Sequence, residues 1–365
     1  MQKQTLFLVT LFAWGGFALG LPQGSSAVEL IAQSRPTSAS QRLNELLREG
    51  RKRVDAGDFM GAIALYQEAA SLDGNNARIF AGIGYLKARQ GDYRAAVDAY
   101  RRAVSLDTNN ADFAYALGFS LASGGDYSAA ASAYQRAIQL DPRNLNAHLG
   151  LGVVLLRQND YNGAIRSYQQ VLSIDPRNPD AYELIGALYL QQERYREAIE
   201  PLQQAAQLAP RKSSIQLKLA SAWLAQNNLD AGRVALEEAS RLEPNNPDIH
   251  FEIARLRQAQ NDLQASLSAY RRVTALRPDH IDAHLAIADI LTQQQDYLLA
   301  IVAYRKLIEL APNNPQAYYR LGLALQTRER RLEAREALEK ARDLFRAQNQ
   351  ADGVRQAEEA LRRLR

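Results

Sequence analysis

The side chains with the most chemical reach in this chain are its four histidines, His148, His250, His280 and His284. His280 and His284 are four residues apart with Asp282 between them. On a helix, that spacing puts two imidazoles one above the other on a single face. Imidazole combined with carboxylate suits a divalent transition metal. His280, Asp282 and His284 therefore form a candidate metal set, with manganese as its candidate occupant and Asp279 and Asp289 nearby. The competing expectation is no cofactor at all, because His148, His250 and His284 share a helical register in which a packed, structural histidine is the commoner role. Other site chemistry finds no constellation. The chain has no cysteine, which removes disulfides and thiolate metal sites. No serine stands in a nucleophile-elbow motif, no glycine-rich phosphate loop is present, and no histidine pair brackets a glutamate. An enzyme is not expected.

The elements that hold these residues repeat. Small residues recur at Ala62, Ala96, Ala130, Ala164, Ala198, Gly232, Ser266, Ala300 and Ala334, each step being 34 residues. In the same register stand Tyr66, Tyr100, Tyr134, Tyr168, Leu202, Leu236, Tyr270, Tyr304 and Leu338. A third column runs from Gly50 through Gly84, Gly118, Gly152 and Gly186 to Ala220, Ala254, Ala288 and Gly322. A fourth is Pro142, Pro176, Pro210, Pro244, Pro278 and Pro312. A period of this length marks one supersecondary unit stacked many times. Each unit reads as two amphipathic helices of about 12–14 residues, the ordinary helix length. Turns such as Gly57-Asp58, Gly91-Asp92, Gly125-Asp126 and Asn159-Asp160 separate them. Gly and Asn accept the left-handed backbone that ends a helix, and Asp caps the next one. The small columns fall where paired helices cross, and the Pro column stops the second helix. Pro201, inside the second helix of the fifth unit, is expected to kink that helix or delay its start.

These columns resemble the tetratricopeptide repeat (TPR) family, whose unit is 34 residues with small residues at positions 8, 20 and 27 and Pro at 32. The resemblance spans residues 43–348 as nine units: 43–76, 77–110, 111–144, 145–178, 179–212, 213–246, 247–280, 281–314 and 315–348. Gly74 and Thr108 stand where Pro is usual, and Gly232 and Ser266 replace Ala. Residues 349–365 break the period; Ala351, Val354, Ala357 and Leu361 share one face, as an end-capping helix requires. The resemblance implies an all-α, right-handed superhelical solenoid whose concave groove is lined by the first helix of each unit. Carried onto this sequence, the family's groove positions give Arg51, Tyr85, Arg89, Tyr115 and Phe119 toward the N-terminus, and Phe251, Arg255, Tyr319 and Arg320 toward the C-terminus. Aromatic and Arg side chains are the usual anchors of interfaces. Family members that clamp a peptide's terminal carboxylate use Lys at position 5 with Asn at position 9, and no unit here has that pair.

Ahead of the repeats, Lys3 precedes an uncharged run from Thr5 to Leu21, then Pro22, Gly24 and the small residues Ser25-Ser26-Ala27. This is the layout of a secretory signal peptide over 1–27, followed by a polar linker over 28–42. An uncleaved anchor is the alternative, since the run approaches the shortest length that spans a bilayer. Export places the chain in the periplasm or cell envelope of a bacterium. The formal charge is +4, and residues 328–365 carry 11 Lys and Arg against 8 Asp and Glu. No dense basic stripe suits nucleic acid. The resulting expectation is a non-catalytic exported scaffold that binds a protein or peptide partner and assists assembly of a complex, touching membrane only through that partner or an uncleaved signal. The architecture is also similar to cyanobacterial periplasmic factors for photosystem II assembly, which implies D1 maturation and manganese supply as one alternative. A cell-envelope or polysaccharide-biogenesis adaptor is another.

Overall fold

The computed structural model describes residues 38–364, so the signal peptide assigned to 1–27 lies outside the described residues, as does most of the linker. The described chain is helical throughout, and it divides into two compact units, residues 1–194 and 195–365. The first unit holds α1 (Ser38–Asp55), α2 (Phe59–Leu72), α3 (Ala77–Arg89), α4 (Tyr93–Leu106), α5 (Ala111–Ser123), α6 (Tyr127–Leu140), α7 (Leu145–Arg157), α8 (Tyr161–Ile174) and α9 (Pro179–Gln191). The linker is shorter than expected, because residues 38–42 already belong to α1.

Local chemistry sets every boundary in this unit. Gly57, Gly91, Gly125 and Asn159 take left-handed φ values of 76°, 78°, 87° and 62°. Each lets the next N–H turn back onto the first helix: the amide of Asp92 donates to the Lys87 carbonyl at 3.0 Å, and that of Asp160 to the Leu155 carbonyl at 2.9 Å. Asp58, Asp92, Asp126 and Asp160 then open the second helices, each accepting the N–H three residues on at 2.8–3.1 Å. Between units, Asn76, Asn110, Asn144 and Asn178 cap the next first helix. Asp73, Asp107 and Asp175 accept from Nδ2 of the Asn three residues later at 3.1–3.3 Å. The same pair spans Gly74, Thr108 and Pro176, so the turn is held with or without Pro in that column.

The crossing of paired helices is close. A Cβ added at Gly152 would lie 2.3 Å from Cε1 of Tyr168, and one at Gly84 would lie 2.8 Å from Cδ2 of Tyr100. Tyr134 lies against Gly118 of its own hairpin and Gly150 of the next, so one ring joins two repeats. Where helices of the same kind approach most closely, they are first helices, α3 with α5 and α5 with α7; no pair of second helices comes as near. The row therefore bends with its first helices on the inside.

The second unit contains α10 (Tyr195–Leu208), α11 (Ser213–Ala225), α12 (Leu229–Leu242), α13 (Pro247–Ala259), α14 (Leu263–Leu276), α15 (Ile281–Gln293), α16 (Tyr297–Leu310), α17 (Pro315–Thr327), α18 (Arg331–Ala347) and α19 (Ala351–Arg363). Helix α10 runs unbroken through Pro201 and starts at Tyr195, in register with Tyr161 and Tyr297, so its start is not delayed. Asn228, Asp262 and Asp296 cap α12, α14 and α16 as in the first unit. Here the left-handed turn residue is never Gly but Asn227, Asn261, Gln295, Glu329 or Asn349, with φ from 56° to 61°. Helix α19 closes the unit against α18; Phe345 packs so close to Gly353 that a Cβ there would meet its ring at 2.3 Å. Among the described residues no helix is long and apolar enough to cross a membrane.

Candidate functional site

Side chains on the inner, first-helix face are the ones that helix pairing does not fully consume. In the first unit, repeat position 9 carries Arg51, Tyr85, Phe119 and Val153 on α1, α3, α5 and α7. Arg51 is exposed, and Tyr85, Phe119 and Val153 are half-buried, each keeping part of its surface for a partner. Tyr85 rests on the clusters that contain Phe59, Tyr66 and Tyr93. Arg89 is exposed, with its guanidinium 5.6 Å from the centroid of the Phe59 ring. One expected anchor is misplaced. Tyr115 is only 3 % exposed, and its ring stands 5.9 Å from that of Tyr134. Burial pushes its hydroxyl pKa up to about 12. Tyr115 is a core residue, because the inward lean of Tyr134 leaves a space that position 5 of α5 fills.

The second unit's face is built differently. Phe251 stacks on His280 at 4.7 Å and meets Tyr270 edge-on at 5.5 Å. Beside it Glu252 is buried and reaches Arg255 at 3.2 Å. Burial raises the Glu252 pKa, Arg255 offsets part of that rise, and Asp248 adds to it. Farther along, Asp289 pairs with Arg320 and also accepts the Tyr304 hydroxyl at 2.8 Å, while Thr292 is 3.2 Å from the same hydroxyl. Burial opposes the charge on Arg320, but Asp289 and the Tyr304 hydroxyl outweigh it and hold the guanidinium pKa above its ordinary value. Tyr319 is half-buried, edge-on to Phe345 at 6.4 Å. Phe251, Arg255, Tyr319 and Arg320 thus sit on the expected helices, but the two arginines are engaged within the chain. Glu252 escaped the sequence reading. Its position three residues before Arg255 on one helical face was the available signal.

The histidines have structural partners. His148, His250 and His284 each place Nε2 2.8–3.0 Å from the carbonyl of the Pro six residues earlier, a tie repeated in three units. His280 occupies the first-helix cap position that Asn holds elsewhere, its Nδ1 accepting from the Ala283 amide at 3.3 Å. Lying before α15 and not within it, His280 does not share a helical face with His284 as the spacing suggested. Among the described residues no three His, Asp or Glu side chains form a group that could hold a metal ion.

A repeat-family model described as the Cilia and flagella-associated protein 70 C-terminal domain matches residues 38–286, more than half of the chain. Models described as TPR repeat and Tetratricopeptide repeat match residues 288–327 and 315–346. The chain belongs to the tetratricopeptide repeat family. No curated protein matches it. Among solved structures, MamA is 29 % identical with a TM-score of 0.46, covering 47 % of this chain and 94 % of that one. YrrB, described as a TPR protein with an unusual peptide-binding site, is 19 % identical at 0.46, covering 52 % and 98 %. A tetratricopeptide repeat protein from Parabacteroides merdae is 15 % identical at 0.49, covering 69 % and 99 %. Nothing among these points to photosystem II. The build of a TPR array is that of a protein-interaction scaffold, and this chain shares it.

Proposed function

We propose that this chain is a non-catalytic, exported scaffold that holds a protein partner against its first-helix faces and thereby assists assembly of a complex. The observation that carries the reading is the row Arg51, Tyr85, Phe119 and Val153. Three large apolar side chains and a cation share one repeat position on the inner side of the first unit, and none of them is fully buried. A solenoid needs small residues where helices cross and apolar ones between hairpins. It does not need half-exposed aromatics on its inner face, and such groups are the common anchors of interfaces. Export rests on the Lys3, Thr5–Leu21 and Ser25–Ala27 pattern alone. A periplasmic or envelope address follows from that pattern.

The test is capture from the cell envelope by the mature chain, run beside a Tyr85→Ala, Phe119→Ala, Arg89→Glu variant that keeps the wild-type circular dichroism spectrum. A partner retained by the wild type and released by the variant supports the reading; equal retention overturns the assigned face. Mass spectrometry of the retained protein separates the possible roles, with photosystem reaction-centre subunits, glycan synthases and outer-membrane proteins as distinct outcomes. N-terminal sequencing of the exported chain should begin at Val28, and an intact Met1 in the membrane fraction would instead establish an anchor.

A further inference from the structure

The second unit holds a cleft that helix pairing does not fill. One wall is a face of α10, where Arg196, Ile199, Glu200 and Gln203 stand at i, i+3, i+4 and i+7. The other wall is the end of α11 and the turn after it, with Trp223, Gln226 and Asn228. The cleft holds about 490 Å³, a size common to small-ligand sites. The turn presents its side chains by construction: Asn227 takes a left-handed φ of 57°, and the Asn228 amide donates back to the Trp223 carbonyl at 2.9 Å. Trp223 is the only tryptophan after residue 27, and it is half-buried. It occupies repeat position 11, which is Leu, Tyr, Lys or Arg in the other units, so stacking of hairpins does not call for an indole there. Arg196, Glu200, Gln203 and Gln226 are exposed, and among the described residues their side chains make no hydrogen bond or ion pair. Arg196 and Glu200 lie one turn apart and do not close on each other. Asn228 gives its Oδ1 to the Ala231 amide at 3.1 Å and keeps Nδ2 to donate.

We infer that this cleft binds a neutral oligosaccharide, with a sugar ring lying on the Trp223 indole and against Ile199, and its hydroxyls bonded to Glu200, Gln203, Gln226 and Asn228. A sugar ring has an apolar C–H face and a rim of hydroxyls that both donate and accept. The cleft offers the same two surfaces. The indole and Ile199 supply the apolar one. The side-chain amides supply the other, because each carries donors and an acceptor together. Arg196 and Glu200 cancel in charge, which favours an uncharged ligand over a phosphate or a polyanion. A peptide held through apolar side chains would desolvate these polar groups without giving them partners, which opposes it. The inference goes beyond the scaffold reading, which places a protein partner on the first unit's inner face and assigns nothing to this cleft.

The experiment uses the full chain from Val28 onward, whose tryptophan emission comes from Trp223 alone. Titration with maltohexaose, cellohexaose and hexa-N-acetylchitohexaose should give a saturable change in that emission for at least one of them. Gln203→Ala with Gln226→Ala should weaken that binding about tenfold or more, since two hydrogen bonds to the sugar are lost. Both side chains are exposed and unpartnered, so the thermal melt should not move. Trp223→Leu, followed by isothermal titration calorimetry, should weaken binding by at least as much. Tyr85→Ala with Phe119→Ala should bind the sugar as the wild type does. The inference is overturned by the absence of a saturable response to all three sugars, or by a response that the Gln203, Gln226 variant keeps in full. A saturable response to hexaproline alone would assign the cleft to a peptide and overturn it too. In each of these cases, capture of a protein partner that depends on Tyr85 and Phe119 leaves the scaffold reading standing. Sugar binding without any such capture would keep the cleft and remove the scaffold.

Discussion

Tyrosine at repeat position 24 occurs in both units, and its hydroxyl ends in different surroundings. In the first unit, Tyr100 and Tyr168 lie over Gly84 and Gly152, and their hydroxyls are buried without a hydrogen-bond partner among the described residues. In the second, Ala254 and Ala288 occupy the glycine position. The Tyr270 hydroxyl there donates to Gln258 at 3.1 Å, and that of Tyr304 to Asp289 at 2.8 Å. The four rings are equally deep, at 0–2 % exposed, so the units differ in which polar groups stand beside each hydroxyl and not in how far the ring sinks. Tyr304 joins Asp289, Thr292 and Arg320 in a closed polar network.

The comparison can be broken most directly at position 8. Gly152→Val should cost about 3 kcal/mol, because the added carbons meet the Tyr168 ring with no room to relax. Ala288→Gly in the second unit should cost only about 1 kcal/mol, the usual penalty for glycine within a helix. Equal losses in urea melts would show that the glycine is not required by the Tyr168 ring. The hydroxyls give the next largest difference. Tyr304→Phe should destabilise by about 1–2 kcal/mol, since Asp289 loses a donor, whereas Tyr168→Phe should be neutral or stabilising by up to about 1 kcal/mol. A loss at Tyr168 as large as at Tyr304 would remove the distinction. At the left-handed turns, Gln295→Gly should stabilise by about 0.5–1 kcal/mol and Gly91→Ala should destabilise by about 1 kcal/mol, because only glycine adopts that backbone without cost.

The smallest effect is one of pH, with opposite signs at the Asp caps of the first unit and at Glu252 of the second. The amides of Gly61 and Ala95 hold Asp58 and Asp92 below the ordinary carboxylate range, so their capping contribution is present above the unfolded pKa and is lost as acid protonates the folded form. Glu252 is shifted upward by burial, so as pH rises past about 4 the unfolded chain ionises first and stability falls until the folded carboxyl ionises too. Urea midpoints measured from acid to neutral pH should show Asp92→Ala flattening the acid limb and Glu252→Gln flattening the decline above it. Identical slopes in the two variants would refute the opposed signs.

The hairpins, their caps and their turns are legible from residue types because they depend on contacts within three or four positions: Gly91 with Asp92 specifies a turn wherever it occurs. Tyr115 and Glu252 were not legible in that way. Both sit at positions that family geometry assigns to the inner face, yet both are buried, since the lean of a neighbouring hairpin decides how deep a first-helix side chain lies. His280 is a partial case: as the last residue of its unit it already falls before the next first helix in the repeat register, and the structure adds that its ring caps α15.

The sequence by itself determined the period, the order of helices and turns, and the columns of small residues within the hairpins, because each follows from local propensity and a fixed repeat. The burial of Tyr115, the partners of the Tyr270 and Tyr304 hydroxyls and the pairing of Arg320 with Asp289 were decided only by tertiary structure. They depend on contacts between residues that the chain holds a repeat or a fraction of a repeat apart, which local propensity does not specify.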